Sequence, residues 1–358
     1  MMHDPVYNFD YHFDRKTGFY VRGNILDEWG NDTGKEPFMA SFPHLIDVGI
    51  MGHCIHGLTG RCQMAGIGCY QSGGAKKKTN MLLSDFERIA AECHGKTVQF
   101  ALGGRGDPNQ HENFREILRI CERYDIVPNY TTSGYQMRDE QVYLTGRYCG
   151  AVAVSWYRSQ YSIDAIKAFI KEGCKVNVHY VLSNKTVDEA IDILSDDFYC
   201  KGINALVFLL HKPVGQGLHE DNLSISDPRV KEFCRLVSAD KKRSFKIGFD
   251  SCSVPMLLNF GGNIDPDVMD TCEGARFSCY ISSDMIMSPC SFDRDGKCDE
   301  ATRYGVSLEH NSIKSVWNSS KFEEFRNCLR NTCPGCKKRD ICMGGCPLER
   351  SIVLCKNV

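Results

Sequence analysis

Apolar and polar positions alternate with two different periods along this chain, and the switches between them outline most of its elements. Residues 6–25 alternate with period two and turn at Lys16-Thr17-Gly18, which predicts a β-hairpin. A loop rich in Gly and Asp follows to Lys35. From Leu45 the pattern becomes strand–helix–strand. Short apolar runs at Leu45–Met51, Thr97–Leu102, Ile126–Thr131, Gly150–Ser155, Lys175–Leu182, Ile203–Leu210 and Phe245–Phe249 read as strands. Between them Ser84–Cys93, His111–Tyr124, Asp139–Arg147, Ile163–Lys171, Val187–Leu194 and Pro228–Val237 carry helical spacing; Phe114, Ile117, Leu118 and Cys121 illustrate it at i, i+3, i+4 and i+7. Repeated βα units imply a parallel sheet with helices outside it. The expected fold is therefore α/β, a partial (βα)6–7 barrel, because the strands run out before an eight-fold barrel closes. After Ser251 the rhythm stops. The expected organisation is an N-terminal hairpin and loop (1–44), a partial barrel (45–251) and a C-terminal region (252–358).

Composition changes this picture in one respect. The 358 residues carry 43 basic and 45 acidic side chains, a net charge of −2, which argues against nucleic-acid binding by bulk charge. The longest apolar run, Ala205–Leu210, is far short of the ~20 residues a membrane span needs. The N-terminus lacks the basic-then-apolar pattern of a signal peptide. The expectation is a cytoplasmic protein with no nucleic-acid or membrane partner. The abnormal number is 20 cysteines. A disulfide framework suits small secreted domains, whereas a chain of this length buries a large core unaided, and in a reducing compartment clustered cysteines point to metal or redox chemistry. The cysteines are uneven: three lie at 54, 62 and 69, seven are scattered between 93 and 252, and ten fall between 272 and 355. The scattered set lies within helical or strand patterns and reads as buried, small apolar residues.

The last stretch reads Cys333-x2-Cys336-x5-Cys342-x3-Cys346, with Cys355 beyond it and Cys272, Cys279 and Cys290 upstream. Thiolates at such spacings suit structural zinc or iron–sulfur clusters. The C-x2-C-x5-C-x3-C block resembles the signature of the SPASM domain of peptide-modifying radical S-adenosylmethionine enzymes. That resemblance implies two auxiliary [4Fe–4S] clusters with interleaved ligands: Cys272, Cys279, Cys290 and Cys346 on the first, and Cys333, Cys336, Cys342 and Cys355 on the second. Met285 stands where the family usually has a turn-forming glycine. Cys298 and Cys328 have no role in this scheme.

Cys54, Cys62 and Cys69 follow the first strand of the βα series, where the same family places its catalytic cluster. Three thiolates leave one iron of a four-iron cluster open, and the resemblance implies that S-adenosylmethionine chelates it. The spacing departs from the family: C-x7-C-x6-C stands in place of C-x3-C-x2-C, with Gly57, Gly60, Gly66 and Gly68 in the gaps. Glycines let a longer loop wrap a cluster through positive φ angles. His53 and His56 lie close by and read as loop-packing residues. Gly103-Gly104 at the end of the second strand resembles the family stretch that binds the methionine amino group, and Thr131-Thr132-Ser133-Gly134 resembles its Thr-Thr-Asn-Gly. Ser133, Ser155, and Asn177 or His179, occupy positions of cofactor contacts.

The resemblance spans Leu45 to Cys355. It implies three [4Fe–4S] clusters and S-adenosylmethionine as cofactors, with a one-electron donor such as flavodoxin or ferredoxin. It further implies reductive cleavage to a 5′-deoxyadenosyl radical and modification of a residue in a ribosomally synthesised precursor peptide by crosslinking, epimerisation or backbone excision. Sulfatase-maturing members carry an aspartate after the third ligand of the first auxiliary cluster. Here that residue is Ser291, a poor base, which disfavours formylglycine formation. Only 44 residues precede the first barrel strand, too few for the family's fused recognition domain, so a separate recognition protein is expected to present the peptide. The competing classes are sulfatase-maturase-like protein oxidation and a non-enzymatic binding or electron-transfer protein stabilised by zinc or iron–sulfur.

Overall fold

The computed structural model describes residues 1–356 except 58, 73–77, 263, 266–267 and 294–301; Cys298 lies outside the described residues. Two sheets organise it. Strands β1 (Met2–Asp4), β2 (Phe9–Phe13) and β3 (Tyr20–Ile25) form an antiparallel sheet, so the expected hairpin gains a third strand. Strands β4 (Leu45–Met51), β5 (Gln99–Gly104), β6 (Val127–Thr132), β7 (Ala151–Ser155), β8 (Val176–Leu182), β9 (Ala205–Leu210) and β10 (Lys246–Phe249) run parallel in sequence order. Helices α2 (Leu83–Cys93), α3 (Phe114–Arg123), α4 (Asp139–Tyr148), α5 (Gln160–Lys171), α6 (Val187–Ser195) and α7 (Pro228–Val237) alternate with them; a one-turn helix α1 (Arg61–Met64) sits in the first βα loop.

The large sheet continues past the boundary expected at 252. Strand β11 (Ser278–Ile281) pairs in parallel with β4, and β12 (Ile286–Ser288) and β13 (Val306–Ser307) extend the sheet antiparallel, so its order is β10-β9-β8-β7-β6-β5-β4-β11-β12-β13. The barrel is open: its edge strands β10 and β13 do not pair with each other among the described residues. Helices α8 (Val254–Phe260), α9 (Ile313–Trp317), α10 (Ser320–Asn331) and α11 (Arg339–Cys342) complete the C-terminal part. The three-stranded sheet is fastened to this part, with Arg22 paired to Asp270 and Glu273 at 2.5 and 2.6 Å, and the Phe9 ring edge-on to Phe277. No helix among the described residues is long and apolar enough to cross a membrane.

Strand alternation divides the side chains into two layers. Ile46, Val48, Phe100, Leu102, Val152, Val154, Val178 and Tyr180 are buried against the helices. Asp47, Ala101, Asn129, Thr131, Ala153, Ser155, Asn177, His179 and Val207 share the opposite face, in matching register, and line the lumen. The chemistry of the molecule therefore depends on lumen residues at the carboxyl ends of the strands, where loops of parallel barrels meet.

Candidate functional site

The loop carrying Cys54, Cys62 and Cys69 leaves the end of β4 and is held from two sides. Gln216, in the loop after β9, donates its backbone N–H to the Cys69 carbonyl at 2.9 Å. A Cβ on Gly68 would stand 2.6 Å from the Gln216 carbonyl oxygen, so only glycine permits this approach. On the other side Gly106 packs against the His53 carbonyl. Gly60 and Gly66 take positive φ angles of 65° and 74°, as the stretched spacing requires. The loop departs from the short family motif in length, and the barrel loops around it supply the closure.

The three thiols face one another electrostatically: Cys62 acts on Cys54, and Cys69 acts on Cys62. Burial pushes the Cys54 thiol up to about 12, against the opposing pull of the Gly57 and His56 backbone N–H groups. Cys62 is also pushed up by burial and lies 3.5 Å from the Tyr157 hydroxyl. All three thiols are half-buried, and among the described residues no three His, Cys, Asp or Glu side chains stand close enough together to hold a metal ion as placed; thiols are the donors that metal binding deprotonates.

His56 is buried within this loop, but its Nε2 is committed to Ser133 Oγ at 2.6 Å. The Ser133 hydroxyl donates to Asp107 Oδ2 at 2.5 Å, so the hydrogen on His56 Nε2 points at Ser133. Asp107 also accepts the Ser133 backbone N–H at 3.1 Å. This chain ties the cysteine loop to the ends of β5 and β6. Ser133, expected to contact a cofactor, is 2% exposed, and its hydroxyl braces these three loops. His56 Nδ1 has no partner among the described residues.

The other expected contact residues divide by height in the barrel. Nothing lies within 4 Å of a Cβ placed on Gly103, leaving open space above the end of β5. Gly104, at φ +109°, packs against Met51, and a Cβ there would come within 2.5 Å of its carbonyl oxygen. Ser155 and His179 are register partners facing the lumen. Burial lowers His179 to about 4, with Asp250 opposing, so it is neutral near pH 7; its Nδ1 is 3.4 Å from Thr131 Oγ1. Asn177 lies one pleat lower, where its Oδ1 accepts from Asn204 at 2.7 Å. That places Asn177 at the amino-terminal end of the barrel, away from the loops.

A second group of cysteines closes the lumen. Cys252, just after β10, interacts with Cys346 and lies near Cys272, while Cys290 lies near both Cys272 and Cys252. Burial pushes Cys272 up to about 12. Cys279 does not join this group. It pairs in register with Ile46, whose neighbour in β5 is Phe100, and this face of the sheet packs against α2; its near neighbours are Cys93 and Asp47. Strand β11 alternates, so Tyr280 turns to the lumen and Cys279 turns to the helices. Of the expected set, Cys272, Cys290 and Cys346 lie near one another and near Cys252, while Cys279 lies on the other face of the sheet. The Met285 position behaves as a turn: its φ is +61°, and its N–H donates to Ser282 at 3.0 Å.

The third group is the one expected from spacing. Cys342 lies beside Cys355, Cys333 and Cys336, and all four line a cavity of about 470 Å³ under α8. Between the first and second groups, Phe292 packs on Tyr70 with ring centroids 4.4 Å apart, so the loop after Cys290 touches the residue after Cys69. The Lys212 ammonium lies 4.4 Å from the Phe292 ring centroid and is paired to Asp250 at 2.6 Å. Burial alone would lower its pKa, and Asp250, Cys252 and Cys290 more than reverse this.

Solved structures share this arrangement of elements. SuiB from Streptococcus suis, bound to S-adenosylmethionine, is similar with a TM-score of 0.65 at 16% identity, over 89% of this chain and 78% of SuiB. The same protein bound to its precursor peptide SuiA gives 0.63 at 14% identity, over 89% and 77%. The protein anSMEcpe with bound AdoMet gives 0.59 at 16% identity, over 85% of this chain and 89% of the other. This chain has their fold. The expected partial barrel, N-terminal hairpin and cysteine-rich C-terminal part are all borne out by it. No family model matches the sequence, and no curated protein matches it.

Proposed function

We propose that the chain is a radical S-adenosylmethionine enzyme that modifies a residue of a ribosomally made peptide. The observation that carries the reading is the gathering of Cys54, Cys62 and Cys69 at the loop end of the barrel, beside open space over Gly103. Three thiols are the donor set of a four-iron cluster with one open iron, and the cavity lined in part by Cys333, Cys336, Cys342 and Cys355 has room for a second cluster. When bound, the catalytic cluster and S-adenosylmethionine supply a 5′-deoxyadenosyl radical. The protein's own part is to orient and shield. Gly103 leaves room for the methionine end of the cofactor, and Ser155 and His179 face the lumen from strands whose register is set by neighbours. The Asp107–Ser133–His56 contact holds the cysteine loop in place. Cys252, Cys272, Cys290 and Cys346 are assigned to the first auxiliary cluster.

The peptide substrate is supported by the neighbours: SuiB has been solved with its precursor peptide and anSMEcpe with a peptide, Cp18Cys. A one-electron donor of the flavodoxin or ferredoxin class and a separate peptide-recognition protein complete the proposed system, in a reducing cytoplasm. Ser291 occupies the position of the sulfatase-maturing aspartate, which favours peptide maturation over formylglycine formation. Co-expression with the short peptides encoded beside the gene tests this reading. One peptide is expected to change mass or chirality only when the intact protein is present. If every such peptide emerges unmodified while the protein forms 5′-deoxyadenosine, the peptide assignment fails and the radical assignment stands.

A further inference from the structure

A cavity of about 670 Å³ lies outside the barrel, beside the amino ends of β4 and β11. The chain after β3 forms one wall, through Lys35 and Phe38, and the ends of α10 and α11 form the other, through Arg330 and Arg339. Five cationic side chains line it against three carboxylates. One of these carboxylates is already engaged: Asp270 pairs with Arg22 at 2.5 Å, and Arg22 also takes Glu273 at 2.6 Å. Arg330 is paired with Glu323, which stands outside the lining. Lys35, Arg276 and Arg339 make no ion pair with any described residue.

Arg276 is the deepest of the three. It is 4% exposed, and its guanidinium donates only to backbone carbonyls, that of Phe38 at 2.6 Å and that of Cys272 at 3.1 Å. Its Nη2 has no hydrogen-bond partner among the described residues. A guanidinium so enclosed is ordinarily matched by a carboxylate, because carbonyl dipoles replace only part of its hydration. The Phe38 ring fixes the cationic groups: Arg330 lies over it at 4.2 Å and Arg276 at 5.0 Å, so both are held in place before any ligand arrives. Apolar side chains lie between the charges, among them Met269, Leu329, Ile341 and Met343.

We infer that this cavity holds an acidic stretch of the precursor peptide, with one carboxylate on Arg276 and apolar side chains between the cationic walls. The inference rests on the function proposed above and gives its substrate a second contact, outside the barrel. The charge excess selects an acidic ligand, and the apolar lining selects a peptide over inorganic phosphate. The depth of Arg276 selects a side chain that reaches inward over the flat face of a folded protein. The cavity flanks the opposite end of the barrel from Cys54, Cys62 and Cys69. Strand β4, seven residues long, separates the two ends by roughly 20 Å. The acidic stretch and the modified residue therefore stand at least about six residues apart in the peptide, since an extended chain covers at most ~3.6 Å per residue.

Fluorescence anisotropy with the intact reconstituted protein tests it, using a labelled peptide of alternating glutamate and leucine and its glutamine counterpart. The glutamate peptide is expected to bind at least about tenfold more tightly, and added salt is expected to narrow the difference by screening the rim charges. Lys35→Glu changes an exposed side chain, so it is expected to melt with the native protein and to bind the glutamate peptide about threefold more weakly. Arg276→Met is expected to weaken binding at least about tenfold, and Arg276→Lys, which keeps the charge and loses the fork, to recover part of it. Equal binding of the two peptides, or native binding by Lys35→Glu, would overturn the site. Inorganic phosphate that binds where the glutamate peptide does not would overturn the peptide assignment. These measurements need no turnover, so absence of 5′-deoxyadenosine from the native protein would overturn the radical reading and leave the acidic-peptide site standing.

Discussion

Replacing Cys54, Cys62 and Cys69 together with alanine is expected to abolish 5′-deoxyadenosine formation while leaving two clusters in place. The expected fall is at least about 1,000-fold, because the bound group carries the chemistry and the protein only orients it. Iron content is expected to drop from about twelve atoms per chain to about eight. The effect is confined because the three thiols sit in a loop braced by neighbours that the change does not touch: the Gln216 contact to the Cys69 backbone and the Asp107–Ser133–His56 chain. The other two cysteine groups draw on residues after β10 and on the last quarter of the chain. Nucleoside production that survives the triple replacement would show that the catalytic centre lies elsewhere.

The second large effect separates two cysteines that spacing alone treats as equivalents. Cys252→Ala is expected to cost one cluster, about four irons, whereas Cys279→Ala is expected to keep all three. Cys252 lies beside Cys346 and Cys272 in the group that closes the lumen. Cys279 is 1% exposed and faces α2. Removing its sulfur leaves a small core void, costing on the order of 1 kcal/mol of stability, without touching the metal content. Iron analysis with the visible spectrum of each variant reads this directly. Loss of a cluster in Cys279→Ala with retention in Cys252→Ala would reverse the assignment.

The barrel was legible in the chain because parallel strands buried on the helix side read as short apolar runs separated by amphipathic helices. Strand β4 and helix α7 fall at the positions their patterns predict, and the other elements of the βα series shift by a few residues at their ends. The cysteine groups were legible as spacing. What spacing does not carry is the choice between Cys252 and Cys279. That depends on β11 being a strand, on its pairing with β4 from more than 200 residues away, and on which pleat each residue occupies. Ser278–Ile281 is a four-residue strand in a region where the βα rhythm has already stopped, so no periodicity announces it. Helices α8 and α10 lie in the same region and carried no expectation either.

The site residues show the same division. A turn motif marks Gly103 in the sequence, and nothing lies within 4 Å of a Cβ placed there. Ser133 sits at the motif position too, yet its hydroxyl is taken by Asp107 and His56, a contact between three loops that no local pattern encodes. Asn177 and His179 were alternatives two residues apart on one face of β8; the hydrogen bond from Asn204 occupies the lower one.

The central claim is that this chain gathers three iron–sulfur sites, one of them with three cysteines and an open position. Metal analysis of the native protein, purified without oxygen and reconstituted, tests it most directly when combined with reduction in the presence of S-adenosylmethionine. The account predicts a brown protein with about twelve irons per chain, forming 5′-deoxyadenosine and methionine in equal amounts. A colourless protein holding two zinc ions and forming no nucleoside would contradict it.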